Sequence, residues 1–230
     1  SWYVGDPKHW LWVFTTADAT LYPVAAHRGR AVVLQTLGDD FGGILVSDCL
    51  ASYENLPYRM HKCLAHHQKA IAAAQARPDT TDPSYLAEWR TLFTMVNPLW
   101  KYRETLGETE FTRQRCGLEA WLDRLLATPR GQPGDESIRK RIGKRREVVL
   151  GCLADPQAEP TNNRAERALR PAVIARKLSC GNRTASGASA WACLTSLAAT
   201  CTQRQQDFLD WLEANLRLNT TSKLLPAAVR

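Results

Sequence analysis

Strand-type sequence patterns are confined to the first third of this chain of 230 residues. Up to Arg77-Pro78, short aromatic and β-branched runs alternate with turn residues, which is typical of strands. After that point, longer segments with helical periodicity take over. Strands that meet helices in this way predict a mixed sheet flanked by helices, and therefore an α/β fold.

The first third of the chain predicts a hairpin and then a buried strand. Residues 2–16 are expected to form a hairpin with its turn at 5–8, and 19–26 the next strand. The run GGILVSD at 42–48 is continuously apolar between glycines and an acid, Asp48, which is typical of a buried strand. The other elements expected here are a helix at Arg30–Leu37, a strand at 60–65 and a helix at 66–76.

Proline and glycine divide the remainder into helices. Helical periodicity covers 84–106, 108–127 and 136–153, which we interpret as an all-helical insertion. Beyond it, we expect a helix from Asn163 that Pro171 stops or kinks, a loop at 181–187, a long helix at about 188–215 and a frayed tail after Asn219. The predicted division is therefore a first core segment at 1–77, the insertion at 78–158, a second core segment at 159–200, and a C-terminal helix and tail at 201–230.

The positive charge of the chain is concentrated in one region. The net charge is +7, and the segment from Arg130 to Lys177 holds twelve Lys and Arg against six Asp and Glu. A local basic surplus favours a polyanionic partner such as nucleic acid, and the alternative is a solvated basic face. The same choice applies to two clusters on the insertion, Arg139-Lys140-Arg141 and Lys144-Arg145-Arg146.

Cysteine usage and hydropathy exclude two broad classes of protein. Seven cysteines without C-x-x-C pairs predict free thiols in a reducing compartment rather than a disulfide framework, and no apolar run reaches membrane-spanning length. The string H-x-C-x-x-H-H at 61–67 invites a zinc hypothesis, but no second Cys/His pair follows it. Trp89, Trp100 and Trp121 are expected in the core of the insertion rather than in a base-stacking surface.

Two acids stand at positions where a metal ligand is plausible on chemical grounds. Asp48 ends the buried strand, at the sheet edge where α/β proteins bind ligands, although a strand-end Asp also commonly begins a turn. Glu166 lies in the string NNRAERALRP at 162–171. There, Asn163 and Glu166 match a capping box, but an acid beside an amide and guanidinium groups also suits a phosphodiester held next to Mg²⁺.

Several strings together carry a resemblance to a known family. HWLWVFTT, GILVSDCLASYENL, KCLAH and PTNNRAERALRPAVIARK occur in this order over about residues 1–200. They resemble the insertion-sequence 66 family of bacterial transposases, and NNRAERALRP with its downstream Arg-Lys is the most specific of them. The resemblance implies a ribonuclease H-like catalytic core of the DDE type, in which Asp48 corresponds to the second Asp and Glu166 to the Glu.

The resemblance also implies the cofactor and the remaining site residues. The first Asp of the motif is expected a few residues before Ser1, so the chain is expected to be a piece of a longer protein. Mg²⁺ or Mn²⁺ would serve in-line phosphoryl transfer. His66, in KCLAH, is a candidate phosphate or water contact, with a hydrogen-bonded histidine at a helix start as the alternative. The candidate phosphate contacts near Glu166 are Asn163, Arg167, Arg170, Arg176 and Lys177, with solvation or ion pairing as the alternative.

The functional expectation is the catalytic portion of a DNA transposase that cleaves and joins strands. The expected partners are double-stranded DNA, at transposon ends and target, and further copies of the chain in the active complex. The expected location is the bacterial cytoplasm, in association with the nucleoid. Two alternatives stay open at this point: an inactive remnant that only binds DNA, and a ribonuclease H-like magnesium nuclease without strand transfer.

Overall fold

The computed structural model describes residues 1–5 and 8–218. The centre of the predicted turn at 5–8 and the predicted tail after Asn219 lie outside these residues. Contacts divide the chain into two compact units. The first unit combines Ser1–Val32 with the chain from Asn163 onward, and the second is Val33–Asn162.

Short strands make up the beginning of the first unit. They are β1 (Trp2–Val4), β2 (Lys8–Leu11), β3 (Phe14–Thr15), β4 (Thr20–Leu21) and β5 (Val24–Ala25). Strand β1 runs antiparallel to β2, and β2 antiparallel to β5, while β3 and β4 form a separate antiparallel pair. The predicted hairpin is therefore present, but each of the two long predicted strands is divided into two shorter ones.

The second unit begins with a βα arrangement that contains Asp48. Helix α1 (Arg30–Leu37) has the predicted bounds, begins in the first unit and leads to β6 (Ile44–Ser47). Strand β7 (Arg59–Lys62) pairs with β6 in parallel, with Ser47 opposite Lys62, and α2 (Leu64–Gln75) follows. Because both strands run in one direction, their carboxyl ends meet at one edge.

The insertion is helical throughout, as predicted. It contains α3 (Pro83–Lys101), α4 (Arg103–Leu106), α5 (Glu108–Ala127), α6 (Pro133–Gly143), α7 (Arg146–Val149) and α8 (Gly151–Ala154). Asp82 caps α3 by accepting a hydrogen bond from the Ser84 amide, and Pro83 occupies the first turn, where a missing N–H costs nothing. Glycine at 107 separates α4 from α5 with a φ of +73°, as its position in the sequence indicates.

The core of the second unit confirms the structural interpretation of the tryptophans. Trp89 is fully buried in a cluster that includes residues from α2, α3, α5, α6 and α8. Trp100 and Trp121 are partly buried against that cluster. The side chains of β6 contribute to the same core through Ile44 and Val46. The strand that leads to Asp48 is thus packed on the helical insertion.

The last part of the chain differs from expectation in three places. It forms α9 (Asn163–Ser179), β8 (Gly181–Asn182), α10 (Ala185–Gln203) and α11 (Phe208–Leu218). Helix α9 continues through Pro171, because Leu169 and Ala172 pack on a core cluster around Trp2 on either side of the proline. Most of the predicted loop at 181–187 is regular structure. The predicted long helix is two helices, since Gln205 takes a positive φ of 55° between them.

A mixed sheet forms in the first unit, in agreement with the predicted α/β class. Its strand order is β5-β2-β1-β8, and β8 is parallel to β1. The indole Nε1 of Trp2 donates to Oδ1 of Asn182 at 2.8 Å, which adds a side-chain hydrogen bond to the β1–β8 pairing. The finer expectation of a ribonuclease H-like arrangement stays a prediction.

Two sequence-based exclusions can be compared with the described residues. No disulfide joins any of the seven cysteines, all of which lie within the described part of the chain. Among the helices of residues 8–218, none combines the length and the apolar character that a membrane crossing requires.

Replacing Gly181 with alanine should lower the free energy of unfolding by more than about 2 kcal/mol. Gly181 has a φ of +125°, and an added Cβ would lie 2.3 Å from the carbonyl oxygen of Tyr3, so the β1–β8 pairing would have to open. Gly29→Ala in the same unit is the control, because its added Cβ would meet its nearest neighbour at 3.6 Å. Chemical denaturation of both variants provides the comparison, and equal stabilities would contradict this account of β8.

Candidate active site

Asp48 lies immediately after β6, at the carboxyl edge of the parallel strand pair. Its carboxylate oxygen Oδ1 accepts a hydrogen bond from the Leu50 amide at 2.9 Å, and the side chain is half-buried. This hydrogen bond starts the turn that leads into a short 3-10 segment at Ala51–Tyr53. The turn-forming role expected as the alternative is therefore present, and it also fixes the direction of the carboxylate.

A buried lysine stands beside the end of β6. Lys62 is 1% exposed, and its Nζ donates to Ser47 Oγ and to the Tyr53 carbonyl oxygen, both at 3.1 Å. Ser47 Oγ in turn donates to the backbone carbonyl oxygen of Asp48 at 3.1 Å. Burial lowers the pKa of Lys62, while the nearby carboxylates Glu54 and Asp48 oppose that shift. A hydrogen-bonded path therefore leads from the Lys62 ammonium to the backbone of Asp48.

A second cation reaches the same segment from the helical insertion. Arg145 lies between α6 and α7, and its Nη2 donates to Glu54 Oε1 at 2.7 Å and to the Cys49 carbonyl oxygen at 3.5 Å. Its Nη1 donates to the Arg141 carbonyl oxygen at 2.9 Å. The side chain of Arg145 is 12% exposed. The segment that follows Asp48 is thus bound to the insertion by an ion pair in a largely buried setting.

Histidines surround this edge without forming a metal cluster. The two ring nitrogens of His61 face the carbonyl oxygens of Val148 at 3.2 Å and Pro160 at 3.0 Å. His67 is fully buried, with Nε2 at 3.7 Å from Cys49 Sγ, and burial lowers its pKa to about 3. His66 lies in the first turn of α2 and is partly buried. Within residues 1–5 and 8–218, no group of three or more His, Cys, Asp or Glu side chains forms a metal site, so the zinc hypothesis gains no support.

Glu166 lies in the first turn of α9, in the first unit. The helix begins at Asn163, so Asn163 is its first helical residue and Glu166 its fourth. Both side chains are exposed. The capping-box alternative for this pair stays a prediction.

The other candidate phosphate contacts also lie on α9. Arg167, Arg170 and Lys177 are exposed. Arg176 is partly buried, and its Nη1 donates to the Ser1 carbonyl oxygen at 3.1 Å, so it contributes to the structure of the first unit. The exposed members of this set are accessible to a polyanion, whereas the side chain of Arg176 already binds the backbone of Ser1.

Much of the positive charge on the insertion is neutralised internally. The ion pairs include Arg139 and Lys140 with Glu136, Arg145 with Glu54, Arg146 with Asp123 and Arg124 with Glu88. Four of the six residues in the two basic clusters of the insertion therefore form ion pairs. These arginines therefore contribute ion pairs within the fold, in addition to any role on a DNA-binding or solvated face.

The carboxylates have the chemistry that a hard divalent cation requires. Mg²⁺ prefers oxygen ligands and commonly takes one or two protein carboxylates. Asp48 fits this requirement because the hydrogen bond from Leu50 orients its side chain at a strand end. Asp48 belongs to the second unit and Glu166 to the first. Their joint use of one cation is therefore a proposal.

Sequence reasoning missed Lys62, Arg145 and Glu54 as neighbours of Asp48. Arg145 is separated from Asp48 by almost a hundred positions, and no local pattern connects them. Lys62 offered a usable signal, because a lysine stood between His61 and Cys63 in a predicted strand next to that of Asp48. A lysine in a strand is usually exposed at the edge of the sheet. When it is buried, it usually has a polar or charged partner.

Comparison with known proteins agrees with the resemblance seen in the sequence. The model of the family described as "Transposase IS66 family" matches residues 5–190. An uncharacterized protein of Sinorhizobium fredii (strain NBRC 101917 / NGR234), y4qI, is 26% identical over 247 residues, which cover 91% of this chain and 43% of that protein. The chain thus spans less than half the length of this relative. No solved structure matches the chain. Since the family model covers most of its residues, the chain belongs to the IS66 family of transposases.

Proposed function

We propose that this chain is the catalytic portion of a transposase that cleaves DNA strands at transposon ends and joins them to a target. The observation that carries the proposal is the position of Asp48, oriented at the carboxyl edge of a parallel strand pair in a member of a transposase family. Since the chain covers 43% of the length of its Sinorhizobium fredii relative, the activity of the whole protein is itself part of the proposal.

Asp48 and Glu166 are the proposed ligands of Mg²⁺ or Mn²⁺, together with an Asp that the family pattern places before residue 1. DDE-type transposases generally use divalent metal ions, which supply Lewis acidity at the reacting phosphate when they are bound. The residues of this chain would hold the carboxylates in place. The turn closed by Leu50 orients Asp48, and the first turn of α9 presents Glu166.

The polar and basic residues of α9 are the proposed phosphate contacts. Arg167, Arg170 and Lys177 extend along an exposed part of the helix, and Asn163 lies at its start. Exposed guanidinium and ammonium groups hold phosphates without reading the base sequence, so they would place the scissile strand rather than select it. His66 is proposed as a further phosphate or water contact, and Arg176 as a contributor that also binds the Ser1 carbonyl oxygen.

The proposed partners are double-stranded DNA and further copies of the protein. Transposon ends and target DNA would be bound together in the active complex, which we propose to be a homo-oligomer on the nucleoid of a bacterial cell. The ribonuclease H-like character of the catalytic core belongs to the same proposal.

The experiment that tests this function uses the full-length protein that contains this chain, labelled transposon ends, a target plasmid and Mg²⁺ or Mn²⁺. We expect cleaved ends and ends joined to the plasmid. Cleaved ends that never join would favour a nuclease without strand transfer. Binding of the ends without any cleavage would favour an inactive DNA-binding remnant. Either outcome would contradict the proposed function.

Removing the exposed arginines of α9 should weaken DNA binding by about tenfold at moderate salt, and the salt dependence of binding should lose a slope of about 2. The change is the double substitution Arg167→Gln with Arg170→Gln, which removes two phosphate contacts. Fluorescence anisotropy at several salt concentrations measures both quantities. The double substitution Arg113→Gln with Arg124→Gln is the matched control, because both arginines are exposed but ion-paired. An equal loss in the two double variants would indicate that only net charge matters.

A further inference from the structure

The segment Cys49–Glu54, which follows Asp48, is held by two cations from different parts of the second unit. Lys62 comes from the neighbouring strand and binds Ser47 Oγ and the Tyr53 carbonyl oxygen. Arg145 comes from the insertion and binds Glu54 and the Cys49 carbonyl oxygen. Lys62 therefore contacts the segment near its end, and also the strand that precedes it. Arg145 contacts the first and last residues of the segment. We call this arrangement the two-cation clamp.

Stability alone gives a poor account of Lys62. Taking an ammonium group out of water is costly, and an attraction to a nearby carboxylate repays the cost only when the geometry is close. The hydrogen-bond acceptors of Lys62 are a hydroxyl and a backbone carbonyl, both neutral, and its Nζ also lies 5.6 Å from the centre of the Tyr53 ring. Burial lowers its pKa, as expected for a cation whose loss of water is incompletely repaid. An apolar side chain of similar length should be tolerated by the fold.

The clamp acts on the atoms that determine where the Asp48 carboxylate points. Ser47 Oγ links Lys62 to the carbonyl oxygen of Asp48, and the Leu50 amide that binds Asp48 Oδ1 lies within the clamped segment. If the segment moved, the Leu50 amide and the carboxylate would move with it. Displacements of about 1 Å at a reacting centre can reduce turnover about 100-fold.

We propose that Lys62 and Arg145 are positioning residues for Asp48, and that the helical insertion acts on the catalytic edge through Arg145. This inference rests on the proposed role of Asp48 as a metal ligand. Neither cation is proposed to touch DNA, since Lys62 is 1% exposed and the Arg145 side chain 12%. The insertion would therefore be a part of the catalytic machinery as well as a folded unit around Trp89.

The test compares Lys62→Met and Arg145→Met in the full-length transposase. We expect each to lower kcat for end cleavage by more than about tenfold, as the loss of a residue that orients a metal ligand does. The DNA concentration that gives the half-maximal rate should stay within about twofold of the parental value. Lys62→Met should melt at the same temperature as the parent or higher, because it removes a buried charge. Faster hydrogen exchange at the Leu50 amide should accompany the loss of kcat. A purely structural lysine would give a lower melting temperature instead.

Arg59→Met is the matched control. Arg59 lies on the same strand as Lys62 and pairs with Asp155 of the insertion at 2.9 Å, but it lies at the opposite end of β7 from Asp48. Its kcat should equal that of the parent. Glu54→Gln removes only the charge that Arg145 binds, and it should lower kcat in the same direction if Arg145→Met does not fold. Arg145→Lys should recover part of the lost rate.

The outcomes separate this inference from the proposed function. If Asp48→Asn abolishes cleavage while Lys62→Met and Glu54→Gln retain the parental kcat, the clamp has no positioning role and the function stands. If Asp48→Asn retains cleavage, the proposed function fails irrespective of the clamp. Unchanged exchange at the Leu50 amide in Lys62→Met would also overturn the inference, because the segment would then be ordered without the lysine.

Discussion

Replacing Asp48 with asparagine should reduce the rate of DNA strand cleavage by more than about 100-fold, while DNA affinity and stability stay nearly unchanged. This loss is larger than the one caused by replacing a residue that only orients a metal ligand. Asparagine retains an Oδ1 that can accept the hydrogen bond that the Leu50 amide donates to Asp48. The turn after β6 should therefore persist, and only the negative charge that a divalent cation requires is lost. The measurement is single-turnover cleavage of labelled transposon ends by the full-length protein, together with end binding at the same salt concentration.

Asp40→Asn is the control for this substitution. Asp40 is an exposed carboxylate in the loop before β6, and it should give the parental rate. Equal losses in the two variants would indicate a general effect of charge near DNA. A parental rate in Asp48→Asn would remove Asp48 from the mechanism, and the hydrogen bond to Leu50 would then be its whole role.

Acid should destabilise the second unit through His67 between pH 6.5 and about 3, by about 4 kcal/mol in total. Burial holds the pKa of His67 at about 3 in the folded chain, below the ordinary value of 6.5. In that pH window the unfolded chain binds the extra proton, so the free energy of unfolding falls as the pH falls. Burial lowers the pKa of His61 as well, which adds to the effect in the same direction.

The acid prediction is separable from the titration of carboxylates. Arg139 holds the pKa of Glu136 at about 2, so this acid loses its stabilising contribution only at lower pH. The window from pH 6.5 to 4.5 lies above the range in which Glu136 titrates, so the buried histidines contribute to the pH dependence there and this acid does not. Urea unfolding of His67→Leu across this window should show a shallower pH dependence than the parent, whatever its absolute stability. Identical slopes in the parent and in His67→Leu would contradict the lowered pKa of His67.

The elements that local chemistry determines were predictable from the sequence. Helix α1 has the predicted bounds, the strand before Asp48 is in place, and Trp89 is buried in the insertion core. Turn and helix-breaking residues mark these features within a few positions of the chain. The mixed sheet also agrees with the α/β class, although its strands are much shorter than the aromatic runs indicated.

Features that depend on distant contacts were not predictable. Burial of Leu169 and Ala172 against the Trp2 cluster favours a continuous α9, and a proline in isolation argues against it. The neighbours of Asp48 follow the same rule. Lys62 lies opposite Ser47, the residue before Asp48, because of the strand register. Arg145 reaches the Cys49 carbonyl oxygen because the insertion packs on the strand pair. Local chemistry made Asp48 and Glu166 plausible ligands, family resemblance implied their roles, and the turn at Asp48 adds a physical reason for one of them.

The most direct test of the central claim is a measurement of Mn²⁺ binding by electron paramagnetic resonance. It compares the full-length protein with Asp48→Asn, Glu166→Gln and the double variant. If residues 48 and 166 bind one cation, each single substitution should lower Mn²⁺ affinity by more than about tenfold, and the two effects should be non-additive. Parental Mn²⁺ affinity in either single variant would contradict a shared metal site.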